Sequence, residues 1–167
     1  MLFRSRKNHM TLLRAFARLA GNWDGSLVIA GTGPMEGRLR SMADDLGIAS
    51  RVVFKGRISD CELAGLYSSC ACLVCPSVYE GFGMTILEGL EAGVPVVASR
   101  IPPHEEVAGD CAQWFSPEDH DELAGVLASF LDSGALHEPE KGRRHASGFS
   151  WDHSALLLAE VYRGLLG

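Results

Sequence analysis

The chain has 167 residues, 47% hydrophobic and 22% charged, which suits one globular domain that buries a core without disulfide or metal staples. No apolar run approaches the roughly 20 residues that span a bilayer, and Met1-Leu2-Phe3-Arg4-Ser5-Arg6-Lys7 lacks the apolar stretch of a secretory signal, so a cytoplasmic protein is expected. A formal net charge of -6 argues against general nucleic-acid binding, which leaves a basic footprint.

Met1 to Trp23 contains no Asp or Glu but carries Arg4, Arg6, Lys7, Arg14 and Arg18. This is either the solvated face of a helix plus a basic tail or a local anion site. Leu12, Leu13, Phe16, Leu19 and Ala20 form an apolar stripe that predicts a helix over 9–20. A strand follows at 26–30. The turn after it, Gly31-Thr32-Gly33-Pro34, lets backbone approach a ligand or another backbone. The third glycine of a dinucleotide fingerprint is replaced by Glu36, so no nicotinamide site is expected. Met35, Leu39, Met42, Ala43 and Leu46 predict a second helix, ended by Gly47.

Residues 51–54 read as a second strand. Its loop, Phe54 to Asp60, either packs a nucleobase against Ile58 or simply connects to a helix capped by Asp60, with Leu63, Leu66 and Tyr67 on its face. Cys70 to Cys75 reads as a third strand. Its C-x-C-x-x-C spacing invites a metal, but alternate strand residues face opposite ways and no second pair completes a set of four, so small buried hydrophobes are expected. Residues 94–98 predict a fourth strand and 111–115 a weaker fifth. All are apolar throughout rather than alternating, as in strands covered on both faces. The loop Ser99 to Glu106 holds His104, read as solvated, with ligand contact as the alternative. Ser116-Pro117-Glu118-Asp119 opens a helix carrying Leu123, Val126, Leu127 and Phe130. Residues 133–150 read as loop with one short helix, and a last helix covers about 151–166.

This alternation predicts an α/β fold with a parallel sheet, helices on both faces and ligands at the carboxyl ends of the strands. It opens on a helix with only Met1-Leu2-Phe3 before it. The single domain 1–167 is therefore expected to have a shortened first strand and to belong to a larger polypeptide.

The most informative loop follows the third strand and runs from Cys75 to Glu88. Gly81 and Gly83 expose backbone N–H groups where a helix begins near Gly83. Orphan amides and the helix dipole there favour an anion. Glu80 precedes that terminus and Glu88 lies one to two turns beyond it. Carboxylates accept strong hydrogen bonds from hydroxyls, so the segment offers phosphate donors flanked by two diol acceptors. The alternative is a glycine turn with two solvated glutamates.

Glu80 and Glu88, seven residues between them, resemble the E-x7-E motif of the family-4 retaining glycosyltransferases. Pro76-Ser77, Gly81-Phe82-Gly83 and Ala92-Gly93-Val94-Pro95-Val96-Val97-Ala98 agree with it. So do Lys7-Asn8-His9, Gly31-Thr32-Gly33-Pro34, Phe54-Lys55-Gly56, Phe115-Ser116-Pro117 and Phe149-Ser150-Trp151, in order. The resemblance implies a Rossmann-like doubly wound parallel sheet, the C-terminal, donor-binding half of a GT-B fold. The substrate implied is a nucleotide-diphosphate-sugar, used with retention in polysaccharide or glycoconjugate biosynthesis, with no cofactor and no metal.

In that scheme Glu80 and Lys7 form the catalytic pair: Glu80 positions the donor sugar by its hydroxyls and Lys7 meets the diphosphate. Glu88 holds the ribose, while Gly81, Phe82 and the backbone at Gly83, Met84 and Thr85 surround the pyrophosphate. Gly31 and Gly33 line the donor site, and the backbone at Arg57 and Ile58 faces the base. The family usually has an Arg five residues before the Lys, where Leu2 stands here. The expected partner is an N-terminal acceptor-binding domain, in cis or in trans, through which alone peripheral membrane association would arise. Alternatives are a non-catalytic nucleotide-sugar-binding module, one subunit of a split enzyme, or an epimerase or phosphorylase half, the last opposed by the Glu80–Glu88 pattern.

Overall fold

The computed structural model describes residues 5–133 and 138–166. A 3-10 turn at Ser5–Lys7 leads into α1 (His9–Leu19). The chain continues through β1 (Leu27–Ala30), α2 (Glu36–Asp45), β2 (Val52–Gly56), α3 (Asp60–Ser69) and β3 (Leu73–Cys75). Next come α4 (Met84–Ala92), β4 (Val96–Ser99), α5 (Pro102–Ala108) and β5 (Ala112–Phe115). Three helices close the chain, α6 (His120–Ser133), α7 (Pro139–Ala146) and α8 (Trp151–Leu166). All strand pairs are parallel, and the five strands fall where the apolar runs predict them.

The strands form two sheets rather than one, β1-β2 and β3-β4-β5. Helix α1 ties them together. Its Leu13 and Phe16 pack with Ile29, Leu39 and Ala43 over the first sheet, while Leu12, Ala15 and Leu19 pack with Val97, Phe115 and Leu123 over the second. Leu27 touches both clusters. A third cluster joins Ile86 and Leu90 of α4 to Val96, Ala98 and Val107 on the other side of the second sheet. Only β4 is buried along its whole length, as expected of a strand covered on both faces. In β1 and β2 that expectation fails: Val28 and Val53, paired in register, stand about two-fifths exposed, because the clustered side chains cover one face of this pair.

Three local readings change. Helix α3 is capped by Ser59, not Asp60: the Glu62 amide bonds the Ser59 hydroxyl oxygen and the Ser59 amide donates to Glu62 Oε2, a reciprocal capping box. Residues 102–106, read as part of a loop, belong to α5, whose first two positions are Pro102 and Pro103. Proline is preorganised for a first turn, where its missing N–H is not needed. Cys70 and Cys72 do not lie in a strand. Cys70 ends α3 in solvent, and of the three thiols only Cys75 is buried in β3. Burial pushes the Cys75 thiol up to about 12. Helix α8, as long as predicted, turns Trp151, Leu156, Val161 and Leu165 outward. No helix among the described residues is long and apolar enough to cross a membrane.

His9, buried at the start of α1, has an acid-sensitive role. Burial first, and the nearby Lys7 charge second, push its imidazole from the ordinary 6.5 down to about 4. Between those values the unfolded chain takes a proton that the folded chain refuses. The contribution of neutral His9 is complete above pH 6.5 and is lost as pH falls through the window toward 4. Thermal unfolding midpoints measured from pH 7 to pH 4 should fall more steeply for the wild type than for His9→Gln.

Candidate functional site

At the carboxyl end of β3 the chain leaves through Pro76 and Ser77, both buried, and reaches α4 by way of Glu80 and Gly83. The turn before α1 seats itself on this loop: the Val78 amide donates to the Arg6 carbonyl at 2.9 Å. Lys7 is thereby delivered to Glu80, and its Nζ donates to Oε1 at 2.5 Å across 73 residues of sequence. The Ser77 hydroxyl donates to the same oxygen at 2.7 Å. Among the described residues no hydrogen bond reaches Glu80 Oε2. Burial works to raise the Glu80 carboxyl, but the hydrogen bonds from Lys7 and Ser77, with the Lys7 charge, together hold it below the usual carboxylate range. The ion pair is less than a fifth exposed on either side, so it is shielded more than a surface pair.

Helix α4 begins immediately beyond. Its N-cap is Gly83, at φ 114°, a left-handed conformation that a side chain disfavours. The first bond of this turn runs from the Ile86 amide to the Gly83 carbonyl. The Met84 and Thr85 amides come before it and have no acceptor within the helix. Two exposed residues, Gly81 and Phe82, lead into this terminus. The Phe82 ring meets Phe149 edge-on, with centroids 6.1 Å apart, so the segment before α8 supports the loop. One to two turns into α4, Glu88 stands exposed and accepts a 2.9 Å hydrogen bond at Oε2 from the Tyr67 hydroxyl of α3. Burial, then that bond, raise the tyrosine pKa and keep it a donor.

Lys7, Glu80, Gly81, Phe82, Gly83, Met84, Thr85 and Glu88 thus lie on one loop and helix terminus with the turn packed on it. The other predicted residues lie in the turns that follow β1 and β2. Gly31 uses its amide to reach the Gly56 carbonyl at 2.7 Å, which realises the backbone-to-backbone alternative and draws the Gly31 turn to the β2 loop. Gly33 is half-buried beside it, Ile58 is half-buried and Arg57 exposed. No described hydrogen bond or ion pair links these four to the Glu80 loop. His104, read as solvated, is fully buried against that loop. A small, partly open cavity of about 50 Å³ sits by Pro95, Val96 and Ala112, at the opposite ends of the strands. Two neighbours of the site escape sequence reasoning: Tyr67, hidden in a helical stripe, and Ser99, read as the first residue of a loop but in fact the last of β4.

A parallel α/β domain with an open helix terminus, a lysine and two carboxylates at its strand ends has the form of a GT-B glycosyltransferase C-terminal domain. Solved structures bear this out. The chain superposes on sucrose-phosphate synthase from Thermosynechococcus elongatus with a TM-score of 0.85 at 28% identity, over 98% of this chain and 43% of that one. Anabaena HepE in complex with UDP matches in fold, with a TM-score of 0.85 at 21% identity, over 98% of this chain and 47% of that one.

The chain belongs to the glycosyl transferases group 1 family, whose model matches residues 2–146. Among curated relatives, MMP alpha-(1->4)-mannosyltransferase of Mycolicibacterium hassiacum is 37% identical over 90% of this chain. D-inositol 3-phosphate glycosyltransferase of Acidothermus cellulolyticus is 33% identical over 77%. The chain spans only 38% and 30% of their respective lengths.

Proposed function

We propose that this chain is the donor-binding domain of a retaining glycosyltransferase that takes its sugar from a nucleotide diphosphate. The observation that carries the reading is the Lys7–Glu80 pair set beside the open N-terminus of α4. A nucleotide diphosphate leaving group gains negative charge as the glycosidic bond breaks. Lys7 and the amides of Met84 and Thr85 are fixed donors for that charge, requiring little rearrangement during the reaction. Glu80, aimed by Lys7 and Ser77, presents its remaining oxygen to sugar hydroxyls and acts as a positioner. Glu88 takes the ribose diol, and the backbone at Arg57 and Ile58 faces the base across the cleft between the sheets' loops.

HepE was solved with UDP and with UDP and glucose, which supports placing those ligands first in a test. The short span of the chain relative to its relatives supports an acceptor-binding domain elsewhere, in the same polypeptide or in a partner.

Calorimetric titration of the chain with UDP, GDP and ADP and their sugar conjugates tests the proposal. One nucleotide diphosphate should bind, more weakly as salt is raised. Lys7→Ala should lower that affinity about 10- to 100-fold, the worth of one charge-assisted hydrogen bond, and flatten the salt dependence. Wild-type affinity that is equal at low and high salt counts against Lys7 as the diphosphate partner. No binding by any probe removes the donor assignment.

A further inference from the structure

Behind Glu80 lies a polar chain that the donor-site reading does not use. Ser99, the last residue of β4, and His104 of α5 are buried to 0% and 1% exposure among apolar neighbours. His104 Nδ1 lies 3.0 Å from the Ser99 carbonyl oxygen and 3.2 Å from the Ser99 hydroxyl. A carbonyl can only accept, so Nδ1 carries the proton. The Ser99 hydroxyl has one proton of its own. Its acceptors are the Ser77 carbonyl at 2.5 Å and the Cys75 carbonyl at 3.3 Å, so the shorter contact takes it. Ser77 in turn donates its hydroxyl to Glu80. The donors therefore run one way, from His104 through Ser99 to the backbone of Ser77, and from the side chain of Ser77 to the carboxylate.

The opposite edge of the imidazole faces the helix terminus. A Cβ built on Gly83 would lie 3.5 Å from His104 Cδ2. Burial, chiefly, lowers the imidazole pKa, so the ring is neutral at neutral pH with its proton on Nδ1. One buried ring thus holds Ser77 through Ser99 at one end of the loop and lies beside Gly83 at the other.

We infer that His104 and Ser99 are positioning residues of the donor site: the His104 Nδ1–H and the Ser99 hydroxyl fix the Ser77 backbone, and so set the angle at which Glu80 meets the donor sugar. This rests on the reading of Glu80 as the sugar contact. It goes beyond that reading by assigning a function to two buried residues that touch no ligand.

The test separates sugar recognition from general damage. Affinities of the 167-residue chain are measured for UDP and UDP-glucose, or for whichever diphosphate and sugar conjugate of the panel bind. Their ratio is compared across variants, with unfolding midpoints recorded for each. Ser99→Ala and His104→Leu should shift the ratio against the sugar conjugate about fivefold, the worth of one neutral hydrogen bond, while diphosphate affinity stays within about twofold. His104→Asn keeps an N–H at the Nδ1 position and should restore most of the ratio even though it lowers the midpoint. Long-range 15N spectra of the wild type should show the His104 proton on Nδ1.

Glu80→Gln is the control for the underlying reading. If it leaves the ratio unchanged, Glu80 is not the sugar contact and both ideas fall. If Glu80→Gln shifts the ratio but Ser99→Ala does not, the positioning role alone is overturned. A proton on Nε2 overturns that role too, as does a His104→Asn chain that behaves like His104→Leu. Failure of every probe to bind removes the donor assignment and this inference with it.

Discussion

Glu88→Ala is expected to weaken binding of the preferred nucleotide diphosphate by about 1.5–3 kcal/mol, roughly a 10- to 100-fold rise in Kd, the usual worth of hydrogen bonds to a charged group. The effect should be confined to the ligand. Glu88 is exposed on α4, and its one described partner is the Tyr67 hydroxyl, so stability should change little. The tyrosine gives a graded control. Tyr67→Phe removes the donor that holds Oε2 but leaves the carboxylate, so affinity should fall by a smaller factor. Glu88→Gln keeps the shape and loses the charge, and should lie between alanine and wild type. The check is calorimetry on all three variants with the same ligand. A Glu88→Ala chain that binds like the wild type would refute the ribose assignment and leave the Lys7–Glu80 half of the site standing.

The second large effect concerns the fold. Phe115 ends β5 at 1% exposure and packs with Leu12, Ala15 and Leu19 of α1, Val97 of β4, and Leu123 and Leu127 of α6. Truncation to alanine removes most of a phenyl ring where two helices and two strands meet, and surrounding atoms relax only partly into such a hole. The expected loss is about 3–5 kcal/mol, a large share of the roughly 5–15 kcal/mol that keeps a domain folded. In urea the unfolding midpoint should drop while the slope stays constant. Nucleotide diphosphate affinity, measured under conditions where the variant is folded, should match the wild type. A loss under about 1 kcal/mol would mean that α6 collapses into the space.

Much of this is legible in the residues because the signals are local. The five strands announce themselves as apolar runs, and Gly47 and Gly93 close their helices in the left-handed conformation expected after a last turn. The loop from Glu80 to Glu88 is readable as an anion and diol site because the helix terminus and both carboxylates lie within one short segment. What stays hidden is long-range. Nothing near Lys7 says that it will meet Glu80, and nothing near Tyr67 points to Glu88. His104 reads as solvated because its sequence surroundings look like a loop, whereas its buried environment includes Ser99 of β4 and the start of α4 at Gly83. Val28 and Val53 mislead for a related reason: an apolar strand sequence does not show whether a helix covers its second face.

The hydrogen bond from Val78 to Arg6 and the ion pair from Lys7 to Glu80 have a consequence for when the site comes into being. Closing a loop of some seventy residues costs conformational entropy that local contacts cannot offset early. The Lys7–Glu80 site should therefore be among the last parts of the domain to mature during folding, after α1 has been gripped by α6 and the first sheet. It should also be among the first to open on unfolding. A ligand that bridges Lys7 and the start of α4 fastens the first described turn of the chain to its middle. Such a bridge resists opening of the whole domain, and saturation with the right nucleotide diphosphate should slow global unfolding and hydrogen exchange in α1 as well as in the loop it touches.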